Sequence, residues 1–153
     1  MRRFLMALLL LGSLSVAFAD DAAAGRVIKA LPLFLDLKGH DALSPSLYDR
    51  DAYQVYLRQH ADQRSAIRFD VLWKASKTGD AKLKLRVELR GIGEKGLPRQ
   101  TTLEQIVKPG FFRHWTSLTL AGEEYKNFGE LVAWRVTLWS GDQLLGEQKS
   151  FLW

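Results

Sequence analysis

The chain has 153 residues, with 22 Lys or Arg against 17 Asp or Glu, five Trp, eight Phe, four Tyr and no cysteine. That is the length and apolar content of one ordinary domain with a core of its own. The missing cysteine excludes disulfide scaffolds, thiolate zinc sites, thiol nucleophiles and iron–sulfur clusters.

Residues 1–19 (MRRFLMALLLLGSLSVAFA) begin with Arg2 and Arg3 and run through an apolar stretch. They end on Ala17-Phe18-Ala19, the small-x-small pattern that signal peptidases cut. Gly12, Ser13 and Ser15 interrupt the stretch, which falls short of the roughly 20 apolar residues that cross a bilayer. Cleavage before Asp20 is expected, giving a periplasmic or secreted protein with no membrane span after cleavage. No cysteine follows the apolar run, so a lipoprotein anchor has no acceptor. The mature chain of 134 residues loses two of its 22 basic residues and carries a net charge of +3. A domain of about this size buries about two thirds of its unfolded surface and can stand without staples.

Residues 20–25 read as a mobile leader, and 26–153 as a single domain. Residues 26–35 (RVIKALPLFL) predict a first strand, and Pro32, which has no amide to donate, assigns it to a sheet edge. Gly39 and Ser44-Pro45-Ser46 mark residues 37–47 as a loop. Ser46 and Asp49 then have the spacing of a capping box. Tyr48, Ala52, Val55 and Tyr56 fall at i, i+4, i+7 and i+8, which predicts an amphipathic helix to about His60. The cap favours that helix over the strand that Tyr53, Val55 and Leu57 would also allow. Its expected place is over an edge or open end of the sheets.

From Ser65 the period becomes two. Ile67, Phe69, Val71 and Trp73 alternate with polar neighbours, as do Leu83, Leu85, Val87 and Leu89. Each segment predicts a strand with one buried face. A turn at 76–80 is expected to pair the two, setting Trp73 opposite Leu83, Phe69 opposite Val87, Asp70 opposite Arg86 and Arg68 opposite Glu88. Residues 101–107 and 115–120 predict further strands, separated by Pro109-Gly110. Residues 130–139 and 143–152 predict a final hairpin around Ser140-Gly141-Asp142. A three-residue loop sets Leu138 opposite Leu144 and Arg135 opposite Glu147, whereas a two-residue loop would drive Glu147 and Lys149 into the core.

About seven short strands with regular turn signals predict an all-β antiparallel sandwich, with one short helix inserted after the first strand. Segments 67–73 and 83–89 and the final hairpin resemble immunoglobulin-like or fibronectin III-like modules over roughly the last 90 residues. The inter-sheet cysteines are absent, Tyr125 lies too far ahead of Trp134 for a tyrosine corner, and the helix departs from the simple module. The resemblance implies a fold and carries over no function.

Gly91-Ile92-Gly93-Glu94-Lys95-Gly96 fits G-x-G-x-x-G, but an extended segment follows where a dinucleotide site requires a helix. It reads as a glycine-rich hairpin connection. His40, His60 and His114 show no metal-ligand spacing, and no nucleophile elbow is present. Ser44, Ser46 and His40 belong to a turn-rich loop, and Asp49 and Asp51 point to different sides of a helix. Neither catalysis, a cofactor nor a metal is expected.

The candidate binding residues are Phe111, Phe112, Arg113, His114 and Trp115. Consecutive aromatics beside a cation stack on flat ligands such as sugars. Alternatively, Phe111 or Phe112 closes one end of the sandwich while Trp115 starts a strand. Lys82, Lys84, Arg86 and Arg90 read as a solvated face paired with Asp70 and Glu88, and a net charge of +3 in an exported chain speaks against nucleic acid. The expected function is that of a non-catalytic interaction or structural module, with an envelope or extracellular protein or a glycan as partner. A small-ligand or carbohydrate-binding domain using residues 111–115 is the second expectation. An outer-membrane β-barrel, with Leu83, Leu85, Val87 and Leu89 turned to lipid, is the third.

Overall fold

The computed structural model describes residues 24–76 and 81–153. The expected signal peptide at 1–19, most of the leader and the turn residues 77–80 lie outside the described residues. Strands β1 (Gly25–Asp36), β2 (Arg64–Ala75) and β5 (His114–Ala121) form one antiparallel sheet in the order β1-β2-β5. Strands β3 (Leu83–Ile92), β4 (Pro98–Val107), β6 (Glu130–Ser140) and β7 (Gln143–Lys149) form a second, in the order β4-β3-β6-β7. Helix α1 (Leu47–Gln59) follows β1, and a second short helix, α2 (Gly122–Phe128), follows β5. Only the first helix was expected.

The period-two segments explain the architecture. Ile67, Phe69, Val71 and Trp73 from one sheet and Leu83, Leu85, Val87 and Leu89 from the other join Val136 and Leu138 in a shared core. The Phe69 ring meets Trp134 edge-on across the two sheets, with centroids 5.9 Å apart. The arrangement is β-sandwich-like. Leu83, Leu85, Val87 and Leu89 are buried against the other sheet, not turned outward as a lipid-facing barrel requires.

The expected hairpin between β2 and β3 does not form. The chain changes sheets between Ala75 and Leu83, so the two strands face each other across the core instead of pairing edge to edge. Asp70 accepts from Arg68 on its own strand at 2.9 Å and from Ser117 on β5 at 2.6 Å. Arg86 instead pairs with Glu104 on β4, and Glu88 with Arg135 on β6. Alternation specifies which face is buried but not which strand lies alongside. Two strands with the same pattern can satisfy it equally well by packing face to face.

The final hairpin differs in a more instructive way. Ser140 pairs directly with Gln143, leaving a two-residue turn with Gly141 at φ 54°. An extra residue, Leu145, then shifts the register so that Leu138 faces Gly146 and Thr137 faces Glu147. Glu147 therefore stays out of the core, as expected, and bonds Arg135 at 2.9 Å from a diagonal position, Lys149 taking the place opposite Arg135 that was expected for Glu147. A β-bulge, not a longer loop, restores the parity.

Strand β1 lies at a sheet edge, as Pro32 suggested, and α1 covers part of that edge. The helix begins as expected, with the Ser46 hydroxyl accepting from the Asp49 amide. Its buried residues are Gln54 and Leu57, with Tyr53 half-buried. The stripe expected to face inward (Tyr48, Ala52, Val55 and Tyr56) is exposed. Gln54 orients the helix by hydrogen-bonding the edge strand, and hydrophobic periodicity cannot register a polar residue as the centre of the buried face.

Candidate functional site

The β4–β5 connection lies at the end of the molecule where β2 finishes and β3 begins. Val107 closes β4 opposite Leu83, and Pro109 and Gly110 turn the chain away from the sheet. His114 opens β5 opposite Trp73. Between these anchors Phe111, Phe112 and Arg113 stand out into solvent, Phe111 at 92% and Phe112 at 79% exposure. Neither phenylalanine closes the end of the sandwich. Their rings meet edge to face, 6.5 Å apart and inclined at 60°.

The next two residues divide between the faces of the sheet. Trp115 sits opposite Leu72 and is 55% exposed. The His114 ring packs against Trp73, whose indole N–H donates to Thr116 Oγ1 at 2.9 Å. His114 Nε2 is buried without a hydrogen-bond partner, and a Cβ at Gly110 would overlap it. Glycine at 110 thus lets the loop close over the imidazole. Next to this point Lys74, Ser76, Pro109, Gly110 and Phe111 line a mainly apolar cleft of about 590 Å³. From Gln105 to Gly122 the chain carries no carboxylate, while Lys108 and Arg113 bracket the phenylalanines. Among the described residues, neither cation forms an ion pair.

The other sequence candidates are dispersed. The glycine-rich segment joins β3 to β4 by a tight turn with Lys95 and Gly96 at positive φ, and Ile92 pairs with Pro98. It is a hairpin connection, as read. His40 lies 3.6 Å from Asp36, and His60 stacks on Tyr56 at 4.1 Å. Among the described residues no group of three or more His, Asp or Glu could hold a metal ion.

Of Lys82, Lys84, Arg86 and Arg90, Lys84 and Arg86 are paired with a carboxylate, though not with the partners expected. Lys84 and Arg86 reach Glu104, whose carboxyl the Arg86 guanidinium holds below its usual range despite some burial. Arg90 instead lies over the Trp153 ring at 3.9 Å.

A second surface lies beside helix α1. Leu43, Asp49, Ala52, Tyr53, Tyr56 and Gln63 line a shallow groove, with the Tyr53 and Tyr56 rings nearly parallel at 5.9 Å. At its margin the Asp36 carboxylate accepts from the amides of Lys38 and His40 and from the Tyr53 hydroxyl, each at 2.8 Å. Burial raises the Asp36 pKa, but these donors outweigh it and hold the carboxyl below its ordinary value. Burial and the same contact push the Tyr53 phenol up. All these groups satisfy one another, so the cluster organises the loop instead of offering a free acid or base.

No family model, curated protein or solved structure matches the chain. No described helix is long and apolar enough to cross a membrane.

Proposed function

We propose that the chain is an exported, non-catalytic module that works by contact, with the β4–β5 loop as its contact surface. One observation carries the reading: adjacent phenylalanines at 111 and 112 stand almost wholly in water. The core is complete without them, so packing gives no reason for two rings at a loop tip, whereas burial against a partner does.

The three-plus-four division of strands supports the immunoglobulin-like or fibronectin III-like reading. The fourth strand pairs with the third, as the additional strand of variable-type domains does, and does not join the sheet of the first two strands as in constant-type domains. Sandwiches of this kind present their loops at two ends, and loops there carry contacts.

The cleft beside Phe111 favours a small apolar ligand as the second reading. Flat stacking of a sugar on the phenylalanine pair is less well supported, because rings at 60° share no plane. The test is retention of partners from an envelope extract by the processed chain and by its F111S/F112S variant. Loss of specific retained proteins or lipid assemblies in the variant supports the contact reading. Retention of small molecules or glycans alone overturns it in favour of the cleft.

A further inference from the structure

The contact surface has a composition that points to one kind of partner. We infer that the β4–β5 loop seats the module on the interface of a bilayer that contains anionic lipid. This rests on the reading of that loop as a contact surface and adds the identity of what it touches.

Three observations carry it. Phe111 and Phe112 are adjacent, at the apex of a connection between two strands, and more exposed than a protein in water alone would favour. Apolar rings at such a tip enter the boundary between headgroups and acyl chains without the backbone having to leave its hydrogen bonds. Trp115 is about half exposed just behind them, and an indole with one apolar and one polar side favours the interfacial layer. Lys108 and Arg113 bracket the rings, and the nearest acidic residues along the chain are Glu104 and Glu123.

Glu104 is itself engaged by Arg86 and Lys84, so it does not neutralise the loop's cations. The β4–β5 loop itself is thus an apolar tip flanked along the chain by two cations, complementary to acyl chains beneath negative headgroups. A groove for a folded protein would instead offer mixed charges around its rim. Gly110 and the packed His114 hold the loop against Trp73, so the tip is presented without ordering a free segment first.

The experiment is sedimentation of the chain with phosphatidylcholine vesicles, with and without phosphatidylglycerol. The wild type is compared with F111S/F112S and with K108Q/R113Q. Residues 1–19 contain an apolar stretch and two arginines, so all chains compared begin at the same residue and only the loop differs. The altered side chains lie outside the core, and thermal midpoints within about 1 °C of wild type confirm intact folds.

The expected result is binding to phosphatidylglycerol-containing vesicles that weakens with salt. F111S/F112S should lower the partition about tenfold or more. K108Q/R113Q should lower it about thirtyfold on anionic vesicles while leaving neutral ones little changed. Equal partition onto neutral and anionic vesicles, or no loss in F111S/F112S, overturns the inference. If vesicles fail but F111S/F112S still releases a specific envelope protein, the loop is a protein contact and only the lipid assignment falls. If neither changes, both readings fall.

Discussion

Gln54 completes the open edge of β1 by bonding both backbone groups of Phe34. Its side-chain oxygen accepts from the Phe34 amide at 2.8 Å, and its nitrogen donates to the Phe34 carbonyl at 2.9 Å. The same nitrogen donates to the Asp41 carbonyl. One helix side chain thus makes the pair of bonds that a neighbouring strand would make. Replacing it with Leu leaves a buried amide and carbonyl unpaired and should cost about 2–4 kcal/mol. Glu should cost at least as much at neutral pH, because it turns oxygen toward two carbonyls. Urea unfolding measures both. A loss under about 0.5 kcal/mol for Q54L would show that the edge is satisfied in some other way.

Arg64 ties the end of α1 to the four-stranded sheet. Its guanidinium donates to the carbonyls of Leu57 and Arg58, at 2.6 and 2.8 Å, and to both oxygens of Glu130. The two carbonyls are among those a helix C-terminus leaves without partners. The arginine side chain is 3% exposed and Glu130 56%, so the two ends of the pair are not equivalent. Arg64→Ala should cost about 3 kcal/mol, since buried acceptors lose their donor. Glu130→Gln should cost about 1 kcal/mol or less, because water replaces much of what the carboxylate supplied. Similar losses for the two substitutions would contradict the capping role.

The sequence disclosed what depends on neighbours along the chain and missed what depends on neighbours in space. The strands, the Ser46 cap and the edge position of β1 are written in alternation, spacing and the missing proline amide. The partner of β2 is not, because Phe69 and Val71 need only an apolar surface and both β3 and β5 belong to one. The exposure of Phe111 and Phe112 was equally out of reach. A Phe-Phe pair has the same sequence whether it plugs an end or projects from it, and the decision rests with Val107 and His114, which already close that end. The bulge at Leu145 was anticipated only through its consequence, the need to keep Glu147 wet.

The Asp36 carboxyl makes stability depend on pH in a defined direction. Burial alone would raise its pKa, but donation from His40, Tyr53 and Lys38 brings it below the ordinary value. The unfolded chain therefore takes up the proton first as pH falls. The contribution is complete above about pH 5 and is lost as pH drops through the ordinary and then the depressed folded value. Asp36→Asn should lower stability at neutral pH and flatten the acid limb of the stability curve between about pH 5 and pH 2. Tyr53→Phe should do the same more weakly. Urea midpoints across that range test it, and an unchanged acid limb in D36N would assign acid sensitivity to other carboxylates.

Gly146 sits where β7 passes β1 at the margins of the two sheets. A Cβ there would lie 2.8 Å from Arg26 Cα and 3.0 Å from the Val27 nitrogen. Both are backbone atoms, which cannot swing aside as a side chain can. Close by, Gln148 donates to the Ile28 carbonyl at 2.9 Å, at a bulge that frees that oxygen from the ladder. Ala at 146 should push the strands apart and cost about 1–3 kcal/mol, and Val should cost more. Gln148→Leu, which keeps the spacing and removes the bond, should cost about 1 kcal/mol. Because both substitutions act on the same approach of β7 to β1, their effects in the double variant should sum to less than the two singles. Full additivity in unfolding experiments would mean that the glycine and the amide hold the sheets together independently.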